Sequence, residues 1–187
     1  MKNLIFLAIA LLVPGLSIAQ IISLLPTDEN GNLAFSSVEE VEGSADQLYS
    51  RAKQFFVDSY KSADDVIQLE DNENRLIVGK AFNDIQITNL GKVFDVQLWY
   101  TVKIQSKEGR YKYDIYDIYY QTYPSINYGS QTYPPEHFFD ESAYYRKNGR
   151  PKKIPDQYKI QTVVSTSGLA KMITAAMAKN TTSADSW

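Results

Sequence analysis

The chain has 187 residues, 19 Lys and Arg against 22 Asp and Glu, and no cysteine. The slight acidity argues against nucleic acid as a partner, since phosphate binding needs a net basic face. The missing cysteine rules out disulfides, thiolate metal sites and a lipid-attachment cysteine.

Lys2 followed by the apolar run Leu4 to Val13, broken by Pro14-Gly15 and closed by Ser17-Ile18-Ala19, has the order of a secretory leader. Cleavage is expected before Gln20. The run is shorter than the ~20 residues of a membrane span, and no other stretch approaches one, so an exported mature chain without a transmembrane segment is expected. Residues 20–32 read as a lead-in with a turn at Asp28-Glu29-Asn30-Gly31, and Leu33 to Val41 as a first strand. Ser44 with Gln47 three residues on fits a capping box. Ala45, Leu48, Tyr49, Ala52, Phe55, Phe56 and Tyr60 then follow at helical spacing, with Asp46, Arg51, Lys53 and Asp58 on the other face.

Val66–Leu69 and Leu76–Phe82, joined by Asp71-Asn72-Glu73-Asn74, predict a hairpin. Ile85–Thr88 either extends it or forms a loop. Phe94, Val96, Leu98, Tyr100, Val102 and Ile104 alternate without a miss, which predicts a long strand with one face on a core. Trp99 is the exception on its otherwise polar face. Ser106-Lys107-Glu108-Gly109 turns the chain, and Arg110–Gln121 returns as the antiparallel mate. From 123 to 155, Pro124, Gly129, Pro134 and Pro135 mark a long irregular stretch, and such a loop in a compact domain is usually functional or mobile. Leu169, Met172, Ile173, Ala176 and Met177 predict a last helix, with Ser167 as a possible N-cap; Ile160, Val163 and Val164 leave an earlier start open. Residues 180–187 read as a polar tail.

Strand, helix, four strands, helix is an α+β order. Both helices on one face of a curved antiparallel sheet of about five strands bury the helix stripes and the apolar sheet face together. One domain over 33–179 is expected. The segment Gly43-Ser44-Ala45-Asp46-Gln47-Leu48-Tyr49-Ser50-Arg51-Ala52, the glycine of Leu76-Ile77-Val78-Gly79-Lys80, and the return Gly109-Arg110-Tyr111-Lys112-Tyr113 with Asp117-Ile118 together resemble a family of exported Gram-negative bacterial proteins. It is a domain of unknown function with a TATA-binding-protein-like fold. The resemblance implies that fold over about 33–179. It implies no activity and no catalytic residue, and the DNA binding of the fold's namesake does not transfer.

Glu136, His137, Asp140 and Glu141 are the metal or general-base candidates. On one helix, His137 and Glu141 at i and i+4 would share a face and suit a metal-dependent hydrolase. A solvated acidic turn after Pro134-Pro135 is the simpler account of them, and neither a catalytic residue, a metal site nor a cofactor is expected. Asp114 and Asp117, three apart on one strand, are expected on opposite faces and so not as a carboxylate pair. The basic run Arg146-Lys147-Asn148-Gly149-Arg150-Pro151-Lys152-Lys153 reads as a solvated turn. Tyrosine is the excess: 14 in the chain, ten of them between Tyr111 and Tyr145. Tyr116, Tyr120, Tyr123, Tyr128 and Tyr133 are the candidate binding surface, because an apolar ring with a polar tip suits peptide or sugar recognition. The expectation is a non-catalytic periplasmic or cell-envelope module for a protein or glycan partner. The alternatives are the hydrolase centred on His137 and a carbohydrate-binding module.

Overall fold

A computed structural model describes residues 25–60, 62–126 and 128–179. The leader, the start of the lead-in and the tail at 180–187 lie outside the described residues. Strand β1 (Phe35–Glu40) leads into helix α1 (Ala45–Ser59), the short α2 (Ala63–Val66), β2 (Ile67–Asp71), β3 (Leu76–Asn89), β4 (Lys92–Lys107) and β5 (Arg110–Thr122). Then come β6 (Thr132–Tyr133), the single turns α3 (Glu136–Phe139) and α4 (Glu141–Tyr144), and the long α5 (Lys153–Met177). The sheet is antiparallel in the order β1-β5-β4-β3-β2, with β6 also on β5.

The capping box forms as expected: Gln47 N–H donates to Ser44 Oγ at 3.2 Å and Ser44 N–H to Gln47 Oε1 at 2.9 Å. Leu48, Ala52, Phe55 and Phe56 of α1 then meet Ile77, Leu98, Tyr100, Val102, Ile104 and Ile115 in the core. Phe56 lies so close to Gly79 that a Cβ added there would stand 2.3 Å from Phe56 Cε1. Arg51, expected on the solvent face, is buried at 5 % exposure. Its Nη1 donates to the carbonyls of Met177 (2.8 Å) and Glu42 (2.9 Å), placing a cation at the negative end of α5.

β3 and β4 run longer than their apolar patterns, because Ile85–Thr88 stays paired up to Asn89↔Lys92. In β5 two residues, Asp117 and Ile118, oppose Tyr100 alone. This bulge, with Asp117 at φ 56°, shifts the alternation, so Tyr111, Tyr113 and Ile115 before it and Ile118 and Tyr120 after it all face the core. It also divides the edge of β5 between β1, which pairs up to Ile115, and β6, which pairs from Tyr120.

The stretch 123–155 is more regular than expected, and α5 begins at Lys153, with Pro155 in its first turn where a missing N–H costs nothing. Its buried stripe is Tyr158, Thr162, Thr166, Leu169, Ile173 and Met177, whereas Met172 is exposed. Thr162 and Thr166 donate to the carbonyls four residues back at 2.7 and 2.8 Å. α1 and α5 pack together on one side of β3 and β4, leaving the other sheet face without a helix. No helix among the described residues is long and apolar enough to cross a membrane.

Candidate functional site

The five expected tyrosines do not form one surface. Tyr120 is fully buried; its hydroxyl donates to Thr162 Oγ1 at 2.6 Å, and its ring meets Phe138, Phe139 and Tyr158 edge-on. It belongs to the core, because the Asp117 bulge turns it inward. Tyr133 is half-buried under His137 and Phe138. Tyr128 is 74 % exposed, on a tight turn closed by Ser125 N–H to the Tyr128 carbonyl at 2.7 Å. Tyr116 stands half-buried on the helix-free sheet face, opposite Thr101. Tyr123, exposed, bends back to that face and donates its hydroxyl to Asp84 Oδ1 at 2.8 Å.

The helix-free face carries a row of rings that crosses three strands at one level. Phe82 on β3 pairs with Trp99 on β4, which pairs with Tyr119 on β5. Phe82 and Trp99 centroids are 4.8 Å apart, and Trp99 and Tyr119 lie parallel within 3° at 5.8 Å. Lys80 Nζ sits 5.0 Å from the Tyr119 ring centre. Trp99 Nε1–H donates to Gln97 Oε1 at 3.2 Å, and Gln97 Nε2 reaches the Tyr123 hydroxyl at 3.3 Å. Acceptance by Asp84 holds the Tyr123 phenol above its ordinary pKa; burial first, then Asp117 and Asp114, does the same for Tyr116. The face is thus an apolar strip with amide, carboxylate, ammonium and phenol groups around it, suited to non-covalent recognition.

Around the sheet end at Tyr123, the face adjoins a cleft of about 560 Å³ lined by Ile87, Val93, Phe94, Val96, Ile154 and Tyr158. Phe94, expected in the core, is exposed here because β4 extends past the start of α5.

The metal candidate loses its geometric premise. Asp140, with ψ 141°, ends α3 and begins α4, so His137 and Glu141 occupy different turns. The His137 ring packs against Tyr133 and Phe138, each at 4.8 Å. Among the described residues no three His, Asp or Glu side chains converge. Asp114 is engaged by Ser36 at 2.5 Å and Lys112 at 2.9 Å, while Asp117 is the bulge residue, so bulge geometry and not simple alternation sets their relation. The basic run forms an exposed turn closed by Arg146 N–H to the Arg150 carbonyl at 2.8 Å.

Sequence reasoning passed over Phe82 and Tyr119. The available signal was Trp99, a large ring among Asp95, Gln97, Thr101 and Lys103. Strand register then selects Phe82 and Tyr119 as its neighbours.

The model of a family described as a domain of unknown function (DUF4468) with TBP-like fold matches residues 35–121. A crystal structure of a DUF4468 family protein from Bacteroides ovatus is similar at a TM-score of 0.67 and 16 % identity, covering 84 % of this chain and 92 % of that one. A TBP-like protein from Parabacteroides distasonis is similar at 0.62 and 18 %, covering 82 % and 96 %. At these identities the likeness is one of fold. No curated protein matches the chain.

Proposed function

We propose, for a chain whose residues 35–121 match the model of the DUF4468 family of TBP-like fold, that it is an exported, non-catalytic module that binds a cell-envelope protein or glycan with the helix-free face of its sheet. One observation carries the reading: Phe82, Trp99 and Tyr119 form a continuous aromatic row on the face the helices leave uncovered. Rings in such a position contribute wide apolar contact at little entropic cost, and aromatic anchors commonly dominate recognition surfaces. The leader-like segment supports the location, and the polar groups around the row support a partner with hydrogen-bonding chemistry.

The test compares wild type with Trp99→Ala/Tyr119→Ala as bait in envelope extract and against envelope glycans. The double variant is expected to lose binding by roughly 30-fold or more, as two anchors of about 1 kcal/mol or more each imply, with its denaturation midpoint little changed. His137→Ala is the control and should bind like wild type. Retention of every specific partner by the double variant defeats the proposal, as does a hydrolytic activity that disappears with His137→Ala.

A further inference from the structure

A buried cation on α5 has no counter-ion. Lys159 follows Tyr158 of the buried stripe and is itself only 8 % exposed. Its ammonium nevertheless makes no ion pair and donates no hydrogen bond among the described residues. It stands over the face of Tyr144, with Nζ 4.9 Å from the ring centre. Asp156, three residues earlier on the same helix, is turned aside, because it accepts the Tyr144 hydroxyl at 2.5 Å. Burial holds the ammonium below its ordinary pKa, and Asp156 offsets this only in part. A charge buried in this way is costly until something pairs with it.

Lys159 lines a cleft of about 360 Å³, a volume within the range of small-ligand sites. Both walls are fixed. On one side the lead-in folds back through the Thr27–Leu33 bridge, and Asp28 Oδ1 accepts the N–H groups of Asn30 and Asn32 at 2.9 Å each. On the other, Lys152 N–H donates to the Tyr144 carbonyl at 2.7 Å and Lys152 Nζ to the Ser142 carbonyl at 2.9 Å, which ties α4 to the start of α5. Leu33, Phe139 and Tyr145 give the cleft apolar area, and Glu136, Asp140 and Glu141 line it from exposed positions. These carboxylates do not converge to hold a metal ion. The cleft therefore combines a buried positive charge, apolar walls and exposed negative charge.

We infer that this cleft captures the C-terminus of a peptide chain that ends in an apolar residue and carries basic residues just before it. The terminal carboxylate supplies the acceptor that Lys159 lacks, in a charge-assisted hydrogen bond. The last side chain covers Leu33, Phe139 and Tyr145, and the upstream cations meet Glu136, Asp140 and Glu141. The order of charges disfavours simpler ligands. A plain anion must pass three carboxylates to reach Lys159. A free amino acid brings its own α-ammonium beside Lys159, where a chain end has a neutral amide. Capture of a chain terminus is a recurring mode of peptide recognition. The lining shares no residue with the row of Phe82, Trp99 and Tyr119, so the inference stands independently of what that row binds.

Calorimetric titration of the purified protein with an N-acetylated pentapeptide of two lysines, two glycines and a C-terminal leucine tests the inference. A Kd of about 100 µM or tighter is expected. The same peptide with a C-terminal amide, the same peptide with glutamates in place of its lysines, and free leucine should each bind about tenfold more weakly or worse. Lys159→Met should weaken the acid peptide by about tenfold or more and bind acid and amide alike. Its denaturation midpoint should equal or exceed that of wild type, since an unpaired buried charge is gone. The Trp99→Ala/Tyr119→Ala variant should bind the peptide like wild type, so this cleft and the sheet face are judged separately. Absence of binding at about 1 mM, equal affinity of wild type for acid and amide, or a Lys159→Met variant that binds as tightly as wild type overturns the inference.

Discussion

At the scale of single residues, the layer contact between helix and sheet depends on what is absent at position 79. Gly79 has an ordinary φ, so its role is spatial: the Phe56 ring, itself fully buried, occupies the place of a side chain. Gly79→Ala forces Phe56 out of its rotamer or lifts α1 from β3, at a cost of about 1–3 kcal/mol. Chemical denaturation should show this, and Phe56→Leu combined with Gly79→Ala should lose less than the two single changes added together. Strictly additive losses would place the strain elsewhere. Arg51 shows the limit of pattern reading at this scale. Its charge assigned it to solvent, but the guanidinium reaches past the core to the last carbonyl of α5, a contact 126 residues away that no local pattern contains.

Elements were legible where burial alone decides the side chain. β4 alternates because one face lies on the core, and α1 carries both a capping box and a full apolar stripe. The start of α5 was hidden because two of its buried positions are threonines. Their hydroxyls bond the carbonyls one turn back, so they pack as methyl-bearing residues that a hydrophobic pattern does not register. The reach of β5 was legible but its facing was not, since the bulge at Asp117 inverts the alternation and sends Tyr120 inward. The β3–β4 turn holds a cost of its own: Leu90 is 95 % exposed at φ 48°, where a leucine loses about 1–2 kcal/mol to crowding and gains nothing from burial. Asn-Gly is the favoured pair for this turn. Leu90→Asn should therefore raise the denaturation midpoint by an amount equivalent to about 0.5–1 kcal/mol. A lowered midpoint would show that Leu90 makes a contact that matters in solution.

At the scale of the whole molecule, the layered architecture follows from element order, because one helix stripe and one sheet face must cover each other. The candidate site does not follow, since a ring row across three strands exists only once register is fixed. The same excess of tyrosine has a global consequence. Tyr100, Tyr120 and Tyr158 are buried between the sheet and the helices, and burial raises each phenol above its ordinary pKa, Tyr158 to about 12. In the unfolded chain they ionise near pH 10. Below that value both states keep the proton and stability does not depend on these groups. Above it the unfolded state releases protons that the folded state retains, so stability falls as pH rises from 10 toward 12, by about 1.4 kcal/mol per pH unit for each such phenol. Urea midpoints measured from pH 8 to 11 should be flat and then decline, with tyrosinate absorbance appearing along with unfolding. Tyr158 stacks on Phe138 at 3.7 Å, so Tyr158→Phe keeps the packing and removes one titrating group. Its midpoint should decline less steeply than that of wild type by about one phenol's share. If Tyr158→Phe and wild type decline in parallel, lysine deprotonation and not the buried phenols governs the alkaline limit of this fold.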